Sequence, residues 1–345
     1  MASREPPKKP AAGIGATLLG IAGQSQPVAP DFARLQRELG LSKPAPAAPS
    51  AAAPPPPAPP KPVADPRFAA FVAHTIAECR RQIAAAPHDA ALHLKLAGAL
   101  RMQGDMAGAI AAAQASLAID GNDSARFFLA QAGAVAPPPR TPDSVVASLF
   151  DQYAAGFEQH LVGGLRYRAP DLVAAAVRDA RGPDAPPCDV MDAGCGTGLA
   201  GPLLRPFARR LDGVDLSANM VAKARDKGLY DDLVVGELVA ALAARPAAYD
   251  VIVACDVLVY FGDLGPLFAA ARAALRPGGL FAFTAERGAG TTFALLPEGR
   301  YAHPPAYVAA TAQAAGLAVR QSGEAALRTE AGKDVTGLIY VCAAA

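Results

Sequence analysis

Residues 188–201, Cys188-Asp189-Val190-Met191-Asp192-Ala193-Gly194-Cys195-Gly196-Thr197-Gly198-Leu199-Ala200-Gly201, read as a strand, a glycine turn and the start of a helix. Glycine at every second position of the turn frees the backbone to take φ > 0 and leaves main-chain N–H groups unscreened by a Cβ. A polar or anionic ligand is therefore expected where the helix begins. The spacing is G-x-G-x-G with Asp192 two residues ahead of the first glycine. Nicotinamide and flavin enzymes use G-x-G-x-x-G instead.

Working outward, apolar strand runs and helical periods alternate downstream of Cys188. The spacing predicts strands over Asp189–Ala193, Leu211–Asp215, Leu233–Gly236, Asp250–Ala254 and Leu280–Thr284. Between them it predicts helices over Leu199–Arg209, Ala218–Lys227, Leu238–Ala244 and Leu264–Leu275. A helix over Pro305–Ala315 then precedes two strands, Leu317–Val319 and Val335–Val341, joined by a polar hairpin. Repeated strand-helix units require a parallel sheet covered on both faces, so the fold class is α/β with a closing antiparallel hairpin.

Upstream, Thr141 to Val177 reads as helical, with Phe150, Tyr153, Phe157 and Leu161 on one side. Pro137, Pro138 and Pro139 break the pattern before it and mark a boundary. From Arg67 to Val135 the chain is helical and repetitive. Over Ala90 to Asp123, Leu96, Ala97, Leu100, Gly104, Met106, Ala109, Ile110 and Leu117 occupy the positions of a tetratricopeptide repeat of about 34 residues, Gly104-Asp105 making the turn. A generic alanine-rich helical hairpin accounts for the same residues. A repeat offers a groove for a peptide; the hairpin offers a lid or an oligomer contact. Eleven prolines among alanines from Lys43 to Pro66 cannot build a core, so residues 1–65 read as a disordered arm, with Pro30 to Leu41 as an amphipathic island. The division is thus 1–65 arm, 66–136 helical repeats and 137–345 α/β domain.

With 32 basic and 31 acidic side chains in 345 residues, and no dense Lys/Arg stripe, the chain lacks the footprint of a nucleic-acid binder. Cys79, Cys188, Cys195, Cys255 and Cys342 are scattered, with no C-x-x-C pair and no metal spacing, which fits a reducing cytoplasm and implies no metal. No apolar run approaches the roughly 20 residues of a membrane helix, and Ala11 to Gly23 is too glycine-rich for a leader with a good cleavage site.

The glycine turn, Asp215 ending Gly213-Val214-Asp215-Leu216-Ser217, the run Cys255-Asp256-Val257-Leu258-Val259-Tyr260-Phe261 and the turn Leu275-Arg276-Pro277-Gly278-Gly279 together resemble class I S-adenosylmethionine-dependent methyltransferases. The closing hairpin is a feature of that Rossmann-like sheet and not of a plain Rossmann fold. With the upstream repeats and Phe150 to Arg168, the chain resembles bacterial methyltransferase-like proteins that carry tetratricopeptide repeats. The resemblance spans about Pro66 to Val341.

It implies S-adenosyl-L-methionine as cofactor, with Gly194, Cys195, Gly196 and Gly198 at the turn and Asp215 and Leu216 at the ribose. Asp192 is implied at the methionine end, a role compatible with that of a buried carboxylate bracing the loop. Glu237 and Leu238 are implied near adenine, although Glu237 equally suits the cap of the following helix. Met220 either packs on adenine or lies in the core. Main chain near Cys255 is implied to receive the cofactor ammonium, with Asp256 or Tyr260 facing the acceptor. Tyr153 is either a lid or ordinary packing.

Catalytic candidates are His303, Tyr260 and Glu286. His303 has an unperturbed pKa near neutrality, but it precedes Pro304-Pro305, where it serves equally as a helix-start residue. The implied reaction is methyl transfer to a small molecule. Methylation of a protein side chain, with the repeats holding a peptide, and a non-catalytic scaffold remain open. An oxidoreductase is disfavoured by the glycine spacing.

Overall fold

The computed structural model describes residues 66–330 and 333–345; the expected arm, with its Pro30 to Leu41 island, lies outside the described residues. Among the described residues four helices come first: α1 (Pro66–Ala85), α2 (Ala90–Gln103), α3 (Met106–Asp120) and α4 (Asp123–Gln131). Each of the later three begins on a side chain that accepts a main-chain N–H: Asp89 from Leu92, Asp105 from Gly108 and Asn122 from Ala125. Gly104, left-handed at φ 90°, ends α2 at the expected turn. Val72, Ile76, Ala97, Leu100, Ala113 and Leu129 form the core of this layer. The small alanines let the helices approach closely.

Helix α5 (Asp143–Tyr153), a π turn over Gln159–Gly164 and α6 (Ala169–Arg181) replace the continuous helix expected from Thr141 to Val177. The break falls where Gly156 and Gly163-Gly164 weaken helix propensity.

Among the described residues the sheet has nine strands: β1 (Cys188–Ala193), β2 (Ala208–Asp215), β3 (Asp232–Val235), β4 (Tyr249–Ala254), β5 (Leu275–Arg287), β6 (Ala294–Leu295), β7 (Tyr301–His303), β8 (Leu317–Glu330) and β9 (Lys333–Ala344). Strands β3, β2, β1, β4 and β5 lie side by side in that order, all parallel. The chain therefore reverses its winding between β1 and β4, and ligands of such sheets collect at the carboxyl ends there. β9 runs antiparallel between β5 and β8.

The helices between strands are α7 (Gly201–Leu204), α8 (Ala218–Asp226), α9 (Leu238–Ala243), α10 (Gly265–Ala274) and α11 (Pro305–Ala314). Strand residues alternate between two cores. Ile252, Phe281 and Phe283 face Leu242, Leu267 and Phe268 on one side. Val251, Val253 and Ala282 face Leu172, Val173 and Leu204 on the other.

Two further expectations are corrected. The helix expected over Leu199–Arg209 shrinks to α7 plus a 3-10 turn at Arg205–Phe207, and Ala208 and Arg209 already belong to β2. Pro206 cannot donate in a helix interior and clashes with the preceding turn. The closing hairpin is far longer than expected, because Gln321 to Glu330, together with Lys333 and Asp334, read as polar connection, continue the pairing of β8 with β9. Polar strand residues whose outer face meets solvent do not look like strand in sequence. The β6–β7 pair was not foreseen; β7 runs parallel to the end of β5, beyond the point where β4 stops.

Candidate active site

The turn after β1 is fixed from β2. Gly194 and Cys195 N–H both donate to the Val214 carbonyl, at 2.8 and 3.0 Å. Gly196 N–H donates to Asp215 Oδ2 at 2.9 Å, and Ser217 N–H to Oδ1 at 2.9 Å. Gly194 has φ 75°, and a Cβ there would lie 2.3 Å from Val257 Cγ2, so a side chain is excluded. A Cβ on Gly196 would meet nothing nearer than the Phe157 ring at 3.9 Å, which leaves its backbone open to a ligand. Burial pushes the Asp215 carboxyl up, while the Ser217 and Gly196 N–H groups oppose the shift.

Beneath the turn, Tyr230 Oη donates to Asp192 Oδ2 at 2.6 Å. Cβ atoms built on Gly198, Gly201 and Gly213 would all crowd the Tyr230 ring, so the ring is the bed on which the glycine turn rests. Burial pushes the Asp192 carboxyl up to about 7, against the hydrogen bond from Tyr230. Asp192, Cys195 and Gly198 do not line the cavity above; they act on it through the turn. Tyr230 carried no signal in sequence.

A cavity of about 270 Å³ runs from this turn along the strand ends. Gly194, Gly196, Asp215, Leu216, Glu237 and Leu238 line one end. Phe150, Tyr153 and Phe157 form the roof, the ring of Phe157 meeting the other two edge-on at 6.1 and 5.3 Å. Asp151 ties this roof to the start of α8, accepting from Ser217 Oγ at 2.5 Å and from Asn219 N–H at 3.3 Å.

Glu237 caps α9, accepting from Val239 N–H at 2.9 Å and Ala240 N–H at 2.8 Å. It also accepts from Arg140 Nη1 at 2.6 Å, so the structure combines the cap with a place on the cavity wall. Arg140, absent from the sequence reading, bridges Glu237 and Asp143. Met220 is fully buried and does not line the cavity, the core alternative.

At the other end lie Cys255, Asp256, Tyr260, Tyr167, Arg300 and Arg328. Asp256 takes φ 55°, a left-handed conformation that Asp tolerates better than most residues. Its N–H donates to Thr284 Oγ1 at 2.8 Å, that hydroxyl donates to Asp256 Oδ1 at 3.2 Å, and Arg328 Nη1 lies 3.5 Å from Oδ2. Burial pushes the Tyr260 hydroxyl up to about 12 and raises that of Tyr167 well above its ordinary value.

Two catalytic candidates sit off the cavity. Glu286 accepts from Arg300 Nε at 2.7 Å and lies behind it. His303 is wholly buried; its Nε2 faces the carbonyl oxygens of Phe261 and Gly262 at 2.8 and 3.2 Å, and burial lowers its pKa. The cause is β7, which makes His303 an internal sheet residue opposite Arg287. A general base at His303 is therefore not supported by this geometry.

The residues at the glycine turn fit a nucleoside cofactor. Gly196 is open where a Cβ would close it. Each Asp215 oxygen accepts one backbone N–H and retains capacity for a sugar hydroxyl. Among the described residues no group of three or more His, Cys, Asp or Glu stands at metal-binding geometry.

Residues 191–281, from within β1 into β5, match the family model described as a methyltransferase domain. Among curated proteins the chain is similar to the bovine (Bos taurus) 18S rRNA (guanine-N(7))-methyltransferase, 34% identical over 20% of this chain and 24% of that protein. It is similar to the malonyl-(acyl-carrier protein) O-methyltransferase of Pseudescherichia vulneris, 28% identical over 40% of this chain and 52% of the other. A ubiquinone biosynthesis O-methyltransferase of Xylella fastidiosa is 31% identical over 37% of this chain and 60% of its own length. The chain thus spans between about a quarter and three fifths of the length of these three relatives. A solved magnesium protoporphyrin IX methyltransferase from Synechocystis, with bound SAH, is similar at 16% identity and TM-score 0.46, covering 59% of this chain and 99% of that one.

Proposed function

We propose that this chain is an S-adenosylmethionine-dependent methyltransferase acting on a small-molecule acceptor. The observation that carries the reading is the pairing of Asp215 with Gly196 at one end of a cavity that reaches Asp256 and Tyr260 at the other. When bound, the cofactor supplies an electrophilic methyl group on a sulfonium. In this reading Gly194, Gly196, Asp215 and Leu216 hold the sugar side, and Glu237 and Leu238 flank the base. The Cys255 main chain faces the amino-acid end, with Asp192 acting on it through the turn. Tyr153 and Phe150 exclude water from above, and Tyr260 orients the acceptor. Displacement at a methyl carbon mainly demands alignment, which such a walled cavity supplies.

We also assign residues 66–136 to a tetratricopeptide-like unit that offers a peptide groove, supported by the Gly104 turn and the stacked α1 to α4. A reducing, cytoplasmic setting is supported by five free thiols, four of them buried. No helix among the described residues is long and apolar enough to cross a membrane. Calorimetric titration with S-adenosylhomocysteine, followed by incubation with methyl-labelled cofactor and cell extract, tests the central reading. Absence of binding overturns it.

A further inference from the structure

The end of the cavity away from the glycine turn carries two guanidinium groups. Arg328 is sunk into β8 with 7% of its side chain exposed, and Arg300, at 23%, approaches from the segment before β7. Among the described residues Asp256 is the one carboxylate that lines this end, since Glu286 stands behind Arg300 and outside the cavity wall. Arg300 spends only Nε–H on Glu286 among the described residues, which leaves four of its five donors for something else.

A guanidinium held from behind by a carboxylate is a rigid fork whose remaining N–H groups match a planar oxyanion. The apolar walls nearby, Leu161, Leu165 and Phe150, suit the carbon skeleton of a small acid. The proton inventory agrees. The described hydroxyl and thiol groups here, Tyr260, Tyr167 and Cys255, are all held protonated by burial. They are poor acceptors of a substrate proton, and an acceptor already ionised at neutral pH asks for none.

We propose that the acceptor is a small carboxylic acid, gripped as its carboxylate by Arg300 with Arg328 and converted to its methyl ester. The proposal rests on the methyltransferase reading above. A carboxylate oxygen lone pair forms the new C–O bond to the methyl carbon. The C–S bond breaks with its electron pair staying on sulfur, and no proton is transferred. The carboxylate and the sulfonium each lose their charge, so the reaction is balanced without a base. Glu286 is then a positioning residue that acts through Arg300.

The test uses the full chain, methyl-labelled S-adenosylmethionine and a protein-free cell extract. Methyl esters release their label as volatile methanol under mild alkali, whereas ethers, N-methyl and thioether products do not. The expected result is alkali-labile label, falling at least tenfold in Arg300→Gln while the affinity for S-adenosylhomocysteine stays within about twofold of the parent. Arg300→Lys, which keeps the charge and loses the fork, is expected to fall between the two. It also serves if the Gln variant does not fold. Alkali-stable label, or undiminished incorporation in both variants, overturns the carboxylate assignment and leaves the methyltransferase standing. No label in any fraction overturns the methyltransferase reading itself.

Discussion

Asp215 Oδ2 accepts the main-chain N–H of Gly196 at 2.9 Å, so the last residue of β2 holds the middle of the turn that follows β1. Removing that carboxylate loosens the turn and deletes the candidate sugar ligand together. Charge-assisted hydrogen bonds contribute about 1.5 to 3 kcal/mol each. Asp215→Ala should therefore weaken S-adenosylhomocysteine binding by at least about tenfold in calorimetry. Asp215→Asn, whose single carbonyl oxygen cannot serve both Gly196 and Ser217, should fall between. Parent-like affinity in the Ala variant would remove Asp215 from the site.

Tyr230 supports the turn in two separable ways, by its ring against Gly198, Gly201 and Gly213 and by its hydroxyl on Asp192. Tyr230→Phe keeps the ring and should cost about 1 to 3 kcal/mol for the buried acid left without its donor. Tyr230→Ala should cost about 3 to 5 kcal/mol, as large-to-small changes of buried aromatics do, and should also abolish cofactor binding. Denaturant titration separates them; equal losses in the two variants would show that the ring is not the support.

The Asp192 carboxyl titrates near 7 in the fold against 3.8 ordinarily. Between those values the folded chain keeps a proton that the unfolded chain has lost, so this group makes stability fall as pH rises from about 4 to 7, and the slope vanishes above 7. Asp192→Asn should remove that slope. Melting temperatures of both proteins across the window decide it, parallel curves being the adverse result.

Burial lowers the His303 pKa below its ordinary 6.5, so its contribution runs the other way. It stabilises the fold above pH 6.5, and stability is lost as acid protonates the unfolded chain first. His303→Gln should flatten the acid limb of a melting-temperature profile and retain turnover once an acceptor is in hand. Loss of turnover with the fold and cofactor affinity intact would return His303 to the chemistry.

The α/β class, the five parallel strands and the glycine turn were legible because their signals are local. Buried parallel strands read as short apolar runs, and a turn that a ligand must approach shows its glycines at fixed spacing. Asp215 follows from its place at the end of the second strand. What remained hidden was the surroundings of side chains distant in sequence. Arg140 finds Glu237, Tyr230 finds Asp192, and Arg300 finds Glu286 only after folding.

His303 illustrates the division. Its residue type and its position before two prolines suit a base or a helix start, and nothing within a few residues of it says which side of a strand it will occupy. That is decided by β7 pairing with β5, a contact between segments whose proximity no periodicity encodes. Chain chemistry alone sufficed for the elements and the glycine turn, because backbone preferences act between neighbours. Which polar groups line the cavity and which are sealed behind it was decided by packing, because burial is a property of the assembled sheet.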